Sequence, residues 1–109
     1  MAEKNFFEVW GKESPETMKL FMDFAGNLEK KCGLDAKTFQ LVYLGLQASR
    51  GAIGSVAAHS GFAKAAGATR EEVLGVIYTT MMVCGINGVA DCLAVAVDGY
   101  DNAPAPEGK

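Results

Sequence analysis

His59 is the single histidine of the chain and its strongest candidate for chemistry. An imidazole can give or take a proton near neutral pH. Ser55 lies one helical turn before it and Ala52 nearly two turns before it, so on a helix all three share a face. A second set stands upstream. Gln40, Tyr43, Gln47 and Arg50 follow one another at spacings of three, four and three residues, which lines them up along one side of a helix. Two readings fit that line: the solvated edge of an otherwise buried helix, or the polar wall of a pocket. Two readings also fit His59: a structural histidine satisfied by its neighbours, or a general acid or base facing a polar stripe.

Other chemistries find little support. One histidine and three scattered cysteines (Cys32, Cys84, Cys92) do not make a zinc-binding pattern, so no metal or other cofactor is expected. The glycines form neither a dinucleotide fingerprint nor a phosphate loop. On one continuous helix Cys84 and Cys92 would stand about 12 Å apart, beyond disulfide reach. Cys32 and Cys84 read first as packing residues, with a reactive thiol at Cys84 as the alternative.

Composition narrows the class. The 109 residues are enough for one domain, expected over residues 1–99 with a disordered tail over 100–109. Half are apolar and 21% are charged, the reverse of a disordered chain. Such an apolar balance in so small a chain points to burial against copies of itself. A net charge of −3 without a basic stripe argues against nucleic acid. The start MAEKNFFEVW is charged and lacks the apolar core of a secretory signal, so a reducing cytoplasm with free thiols is expected. Val73 to Val97 carries one charge, Asp91, and is long enough to span a bilayer. Gly85-Ile86-Asn87-Gly88 interrupts it, and two buried helices fit better than a membrane span.

The elements that must position these residues read as helices throughout. Phe6, Val9 and Trp10 give a short first helix. Ser14-Pro15 reads as an N-cap followed by proline at the first helical position, and Gly33 as the end of that second helix. Asp35 caps a third, largely buried helix that carries the polar line. After Gly51-Ala52-Ile53-Gly54 a fourth helix, rich in Ala, Gly and Ser, carries Ser55 and His59 and closes at Gly67. Its small side chains allow close helix approach. Thr69-Arg70-Glu71-Glu72 is a capping box opening a fifth helix that runs through Val83. A last helix covers Val89 to Val97.

The segment Asp35 to Gly67, DAKTFQLVYLGLQASRGAIGSVAAHSGFAKAAG, followed by ATREEVLGVI, resembles the carboxymuconolactone decarboxylase family, which includes the AhpD-like alkylhydroperoxidases. The resemblance extends over roughly residues 5 to 97. It implies an all-α, AhpD-like bundle of about five to six helices that assembles as an obligate trimer or hexamer. The redox branch of that family carries a glutamate, two cysteines separated by two residues, and a histidine four beyond the second. Those positions fall here on Gln40, Ala52, Ser55 and His59, so only the histidine is kept. A peroxide-reducing cycle needs an attacking thiolate and a resolving thiol. Ala52 and Ser55 supply neither, and peroxidase or disulfide reductase activity is not expected. The decarboxylase branch also lacks the cysteine pair and carries a Tyr-Cys-Gly-Val-Pro-like break. Val83-Cys84-Gly85-Ile86-Asn87-Gly88 keeps its Cys-Gly and lacks its proline.

The resemblance therefore implies a lyase acting on a small unsaturated carboxylated lactone or a related acid. His59 would be the general acid or base, Gln40 and Ser55 would donate to a developing oxyanion, and Arg50 would grip a carboxylate through its planar fork. Tyr43, Gln47 and Cys84 would line the substrate. A non-catalytic ligand binder and a purely structural oligomer stand as alternatives.

Overall fold

The computed structural model describes residues 5–106. Its contacts divide the chain into two compact units, residues 1–34 and 35–109. Every described element is helical, as expected. Six helices have eight residues or more, and a seventh is a four-residue turn.

The first unit holds α1 (Phe6–Glu13) and α2 (Pro15–Lys31). Asn5 caps α1 by accepting from the amide of Phe7. Pro15 occupies the first turn of α2 as expected, but Ser14 makes no side-chain cap. Its hydroxyl oxygen instead accepts from the Thr17 hydroxyl at 2.7 Å, and Thr17 in turn accepts from the Trp10 indole at 2.7 Å. A side chain with a better local partner does not serve the helix end. Trp10 also packs on Phe21, with ring centroids 5.4 Å apart. Gly33 ends α2 with φ +86°, the left-handed conformation that glycine adopts without strain.

The second unit holds α3 (Ala36–Ser49), α4 (Ile53–Ala65), α5 (Arg70–Thr79), α6 (Met81–Cys84) and α7 (Asn87–Asn102). Asp35 caps α3 through the Thr38 amide at 2.7 Å. Thr69 and Glu72 form the full reciprocal capping box on α5. The buried core lies wholly in this unit: Leu44 and Ala48 from α3, Val56 and Ala63 from α4, Val73 and Ile77 from α5, Cys92 and Ala96 from α7, and Ala68 between α4 and α5.

Two sequence expectations are corrected here. The fifth helix does not run unbroken to Val83 but breaks at Thr80. Thr79 and Thr80 both turn their hydroxyls back onto carbonyls of their own helix, at Gly75 and Ile77, and such back-bonding bends a helix. The chain then turns at Gly85, φ +70°, and α7 begins at Asn87. Gly88 thus lies inside the helix, where the Thr80 side chain fills the place a Cβ would need.

The second correction concerns the end of α7, which continues past Val97 to Asn102. Three ties hold that extension. The Tyr100 hydroxyl donates to the Ala68 carbonyl at 2.8 Å. Lys64 donates to the carbonyls of Tyr100 and Ala103 at 3.0 and 2.8 Å and covers the Tyr100 ring. Arg70 grips Asp101 with two nitrogens. Tyr100–Asn102, expected to be tail, are therefore helical, while the final part of the expected tail, 107–109, lies outside the described residues.

The crossing of α4 and α7 sets the geometry of the unit. A Cβ on Gly99 would collide with the backbone of Ala57, and one on Gly61 would meet Ala103 at 3.3 Å. A backbone neighbour cannot rotate away as a side chain can. Gly99→Ala is therefore expected to destabilise the protein by about 2 kcal/mol, lowering the melting temperature by roughly 10 °C. Thermal unfolding followed by circular dichroism checks this; an unchanged melting temperature would remove the close approach as a constraint.

Candidate functional site

Gln40 and Tyr43 project from α3, and His59 and Phe62 from α4. His59 Nδ1 meets Gln40 Oε1 at 2.8 Å. The Tyr43 ring stacks on the imidazole, with centroids 3.8 Å apart and planes 19° from parallel. Phe62, one turn beyond His59, presents its ring at 84° to the imidazole with centroids 4.9 Å apart. The i, i+3 spacing from His59 could have marked it, but an exposed phenylalanine reads from sequence as an ordinary surface residue.

Three of the four residues of the α3 line are hydrogen-bonded in series. Arg50 Nη1 donates to Gln47 Oε1 at 3.1 Å, and Gln47 Nε2 donates to the Tyr43 hydroxyl at 3.4 Å. With the stack of Tyr43 on His59, the series joins the guanidinium to the imidazole. Arg50 ends it at the surface, where α3 stops and Gly51, φ +73°, turns the chain into α4. Ser55 is half-buried one turn before His59, and its hydroxyl has no hydrogen-bond partner among the described residues. Cys84 is not brought to this cluster. Its α6 packs on α5 and α7, and its thiol donates to the Thr80 carbonyl at 3.2 Å. Cys92 is buried, and burial pushes its thiol pKa up.

His59 is half-buried. Burial holds its pKa below the ordinary value of 6.5, because a charged ring loses water there without gaining a carboxylate. Burial thus favours the neutral imidazole over the cation. Among the described residues, no group of three or more His, Cys, Asp or Glu side chains could hold a metal.

The site is not where the apolar hollow is. A groove of about 630 Å³ is lined by Leu41, Val42, Gly45 and Leu46 of α3, Gly75 and Val76 of α5, and the threonines and Val83 around α6. None of His59, Gln40, Tyr43, Gln47, Arg50, Ser55 or Cys84 lines it. On a 3.6-residue helix the groove positions and the polar-line positions fall on opposite faces of α3. From the sequence the polar line fits either a solvated edge or a pocket wall, and this groove lies on the other side of the helix. Glu72 reaches the groove with its carboxylate already engaged by the Thr69 amide and by Lys37.

Fold and site define an all-α protein with a thiol-free polar cluster centred on one histidine. The profile of the carboxymuconolactone decarboxylase family matches residues 15–98. The chain belongs to that family. No curated protein and no solved structure was found to match it. No helix among the described residues is long and apolar enough to cross a membrane.

Because His59 is the only histidine, its titration is read without assignment. Proton NMR should give a midpoint below 6.5. The sign for stability follows. Between the unfolded and the depressed folded value the unfolded chain binds more protons. The contribution of His59 is therefore fully present above pH 6.5 and is lost as pH falls through the folded midpoint. A midpoint at or above 6.5 would show the ring to be solvated.

Proposed function

We propose that this protein is a decarboxylase-type lyase acting on a small unsaturated lactone that bears a carboxylate, with His59 as its proton carrier. The observation that supports the reading is the fixed imidazole, held edge-on by Gln40 at 2.8 Å and face-on by Tyr43. In the reaction the bond to the carboxylate carbon breaks and carbon dioxide leaves. The bonding pair passes through the conjugated system to the lactone oxygen. The Gln40 amide nitrogen and the Ser55 hydroxyl donate to that oxyanion. The pair then takes a proton from the imidazolium to form a C–H bond, and solvent restores the proton to His59. Arg50 holds the substrate carboxylate with its fork, while Tyr43 and Gln47 line the approach. Cys84 stands away from this cluster and has no part in the steps. No cofactor is required. An arriving anion also favours the charged ring, so the neutral imidazole of the free site gains its proton as substrate binds.

One observation favours a second reading, a non-catalytic binder or structural oligomer. The apolar groove lies on the face of α3 away from His59 and is lined by exposed Val42, Leu46 and Val83 among others. Apolar side chains gathered so densely mark an association surface. Self-assembly through it, as a trimer or hexamer, is compatible with either function, and a cytoplasmic setting suits the three free thiols.

Two measurements separate the readings. His59→Gln is expected to reduce carbon dioxide release from carboxymuconolactone by about a hundredfold or more while leaving the circular dichroism spectrum intact. No release by the wild-type protein, together with retained binding of that compound, would establish the second reading. Light scattering should give a mass that is a multiple of the chain, and Leu46→Glu should shift it towards monomer. A wild-type monomer ends the assembly proposal.

A further inference from the structure

We infer that Gln40 is a positioning residue whose side-chain oxygen keeps a proton on His59 Nδ1 and reserves Nε2 as the one ring atom that exchanges protons with a ligand. The inference rests on the reading of His59 as proton carrier and adds which nitrogen does the work. A carbonyl oxygen only accepts hydrogen bonds. At 2.8 Å from Gln40 Oε1, Nδ1 must therefore bear hydrogen, in the neutral ring as in the cation. The neutral ring then has its lone pair on Nε2, and the cation has its free N–H there. Proton removal from a ligand and proton delivery to one both run through the same atom.

The surroundings keep the ring from escaping this choice. Turning it by half a revolution would break the bond to Gln40. Tilting it is opposed by Tyr43 on one face and by the Phe62 ring packed at right angles. Tyr43 is itself held by Gln47, and Gln47 by Arg50. The second face of Gln40 remains useful: with its oxygen engaged, its amide nitrogen is free to donate to a ligand oxygen close to the reacting atom. One amide thus sets the tautomer with one end and faces the substrate with the other. This is a use of glutamine that a carboxylate at the same place could not copy, because it has no hydrogen to donate when ionised.

Nitrogen-15 NMR of the imidazole tests the inference on the whole protein without any ligand. At pH 7.5 the wild-type ring should show a protonated Nδ1 and an unprotonated Nε2. Gln40→Leu should lose that preference, and Gln40→Glu, which keeps an oxygen acceptor, should retain it. With carboxymuconolactone as substrate, Gln40→Leu should lower kcat about a hundredfold with KM changed less than about threefold. A wild-type ring protonated at Nε2, or a Gln40→Leu ring identical to the wild type, overturns the inference, and the wild-type spectrum decides even if the variant fails to fold. A lost tautomer preference with unchanged kcat overturns the positioning role. Failure of the underlying reading has a different signature: undiminished turnover by His59→Gln removes His59 as proton carrier, whatever the ring spectrum shows.

Discussion

The carbonyl of Ala57 occupies the place where a side chain on residue 99 would have to stand. That contact lets α4 and α7 meet backbone to backbone, and the other features of the second unit follow from it. Close approach brings the one-sided core of α4, built from Val56, Ser60 and Ala63, against Cys92 and Ala96. Ser60 is fully buried there and donates to the Val56 carbonyl at 2.8 Å, so its hydroxyl is satisfied within its own helix. With that face of α4 fixed, the flank that carries His59 and Phe62 turns towards α3 and the solvent.

The third helix resolves two demands at once. Leu44 and Ala48 go into the core and are fully buried. The residues flanking them then divide into a polar edge, Gln40 to Arg50, and an apolar edge, Leu41 to Ser49, that opens onto the groove. A helix with a core stripe and two unlike flanks can serve a chemical site on one side and an association surface on the other. The two are mechanically linked because they share one rigid element. In the proposed oligomer, a neighbour pressed onto the groove would fix α3 and with it Gln40 and Tyr43, without adding a group to the proton-transfer cluster.

Much of this was legible from the sequence, and the limits have physical causes. Asp35, Thr69, Glu72, Gly33 and Gly67 announced their helix ends because capping depends on residues three or four apart. The polar line was legible for the same reason: its spacing is a property of one helix. The partnership of His59 with Gln40 spans nineteen residues, and only the family resemblance placed those two positions in one site. Ser14 failed as a cap because Thr17 competes for it, a choice between two local bonds that spacing does not decide. The extension of α7 was missed because its ties, to Lys64, Ala68 and Arg70, all come from elsewhere in the chain. The groove was not foreseen because an apolar residue turned towards the core and one exposed along a groove look alike in a sequence.

The neutral side chain at position 40 sets the acid–base character of the cluster. A glutamate at position 40 would stabilise an imidazolium by charge and so oppose the effect of burial. Gln40 offers a hydrogen bond but no charge, and burial prevails, which is why the His59 pKa lies below its ordinary value. Such a ring favours its neutral form when the site is empty and holds a proton more firmly when an anion occupies it. In the proposed reaction this ties the arrival of the proton to the arrival of the carboxylate. The charge that a glutamate would hold permanently in the protein is brought by the substrate carboxylate and, as neutral carbon dioxide leaves, passes to the lactone oxygen. That charge is neutralised only when the imidazolium gives its proton to carbon, and the ring returns to its neutral form.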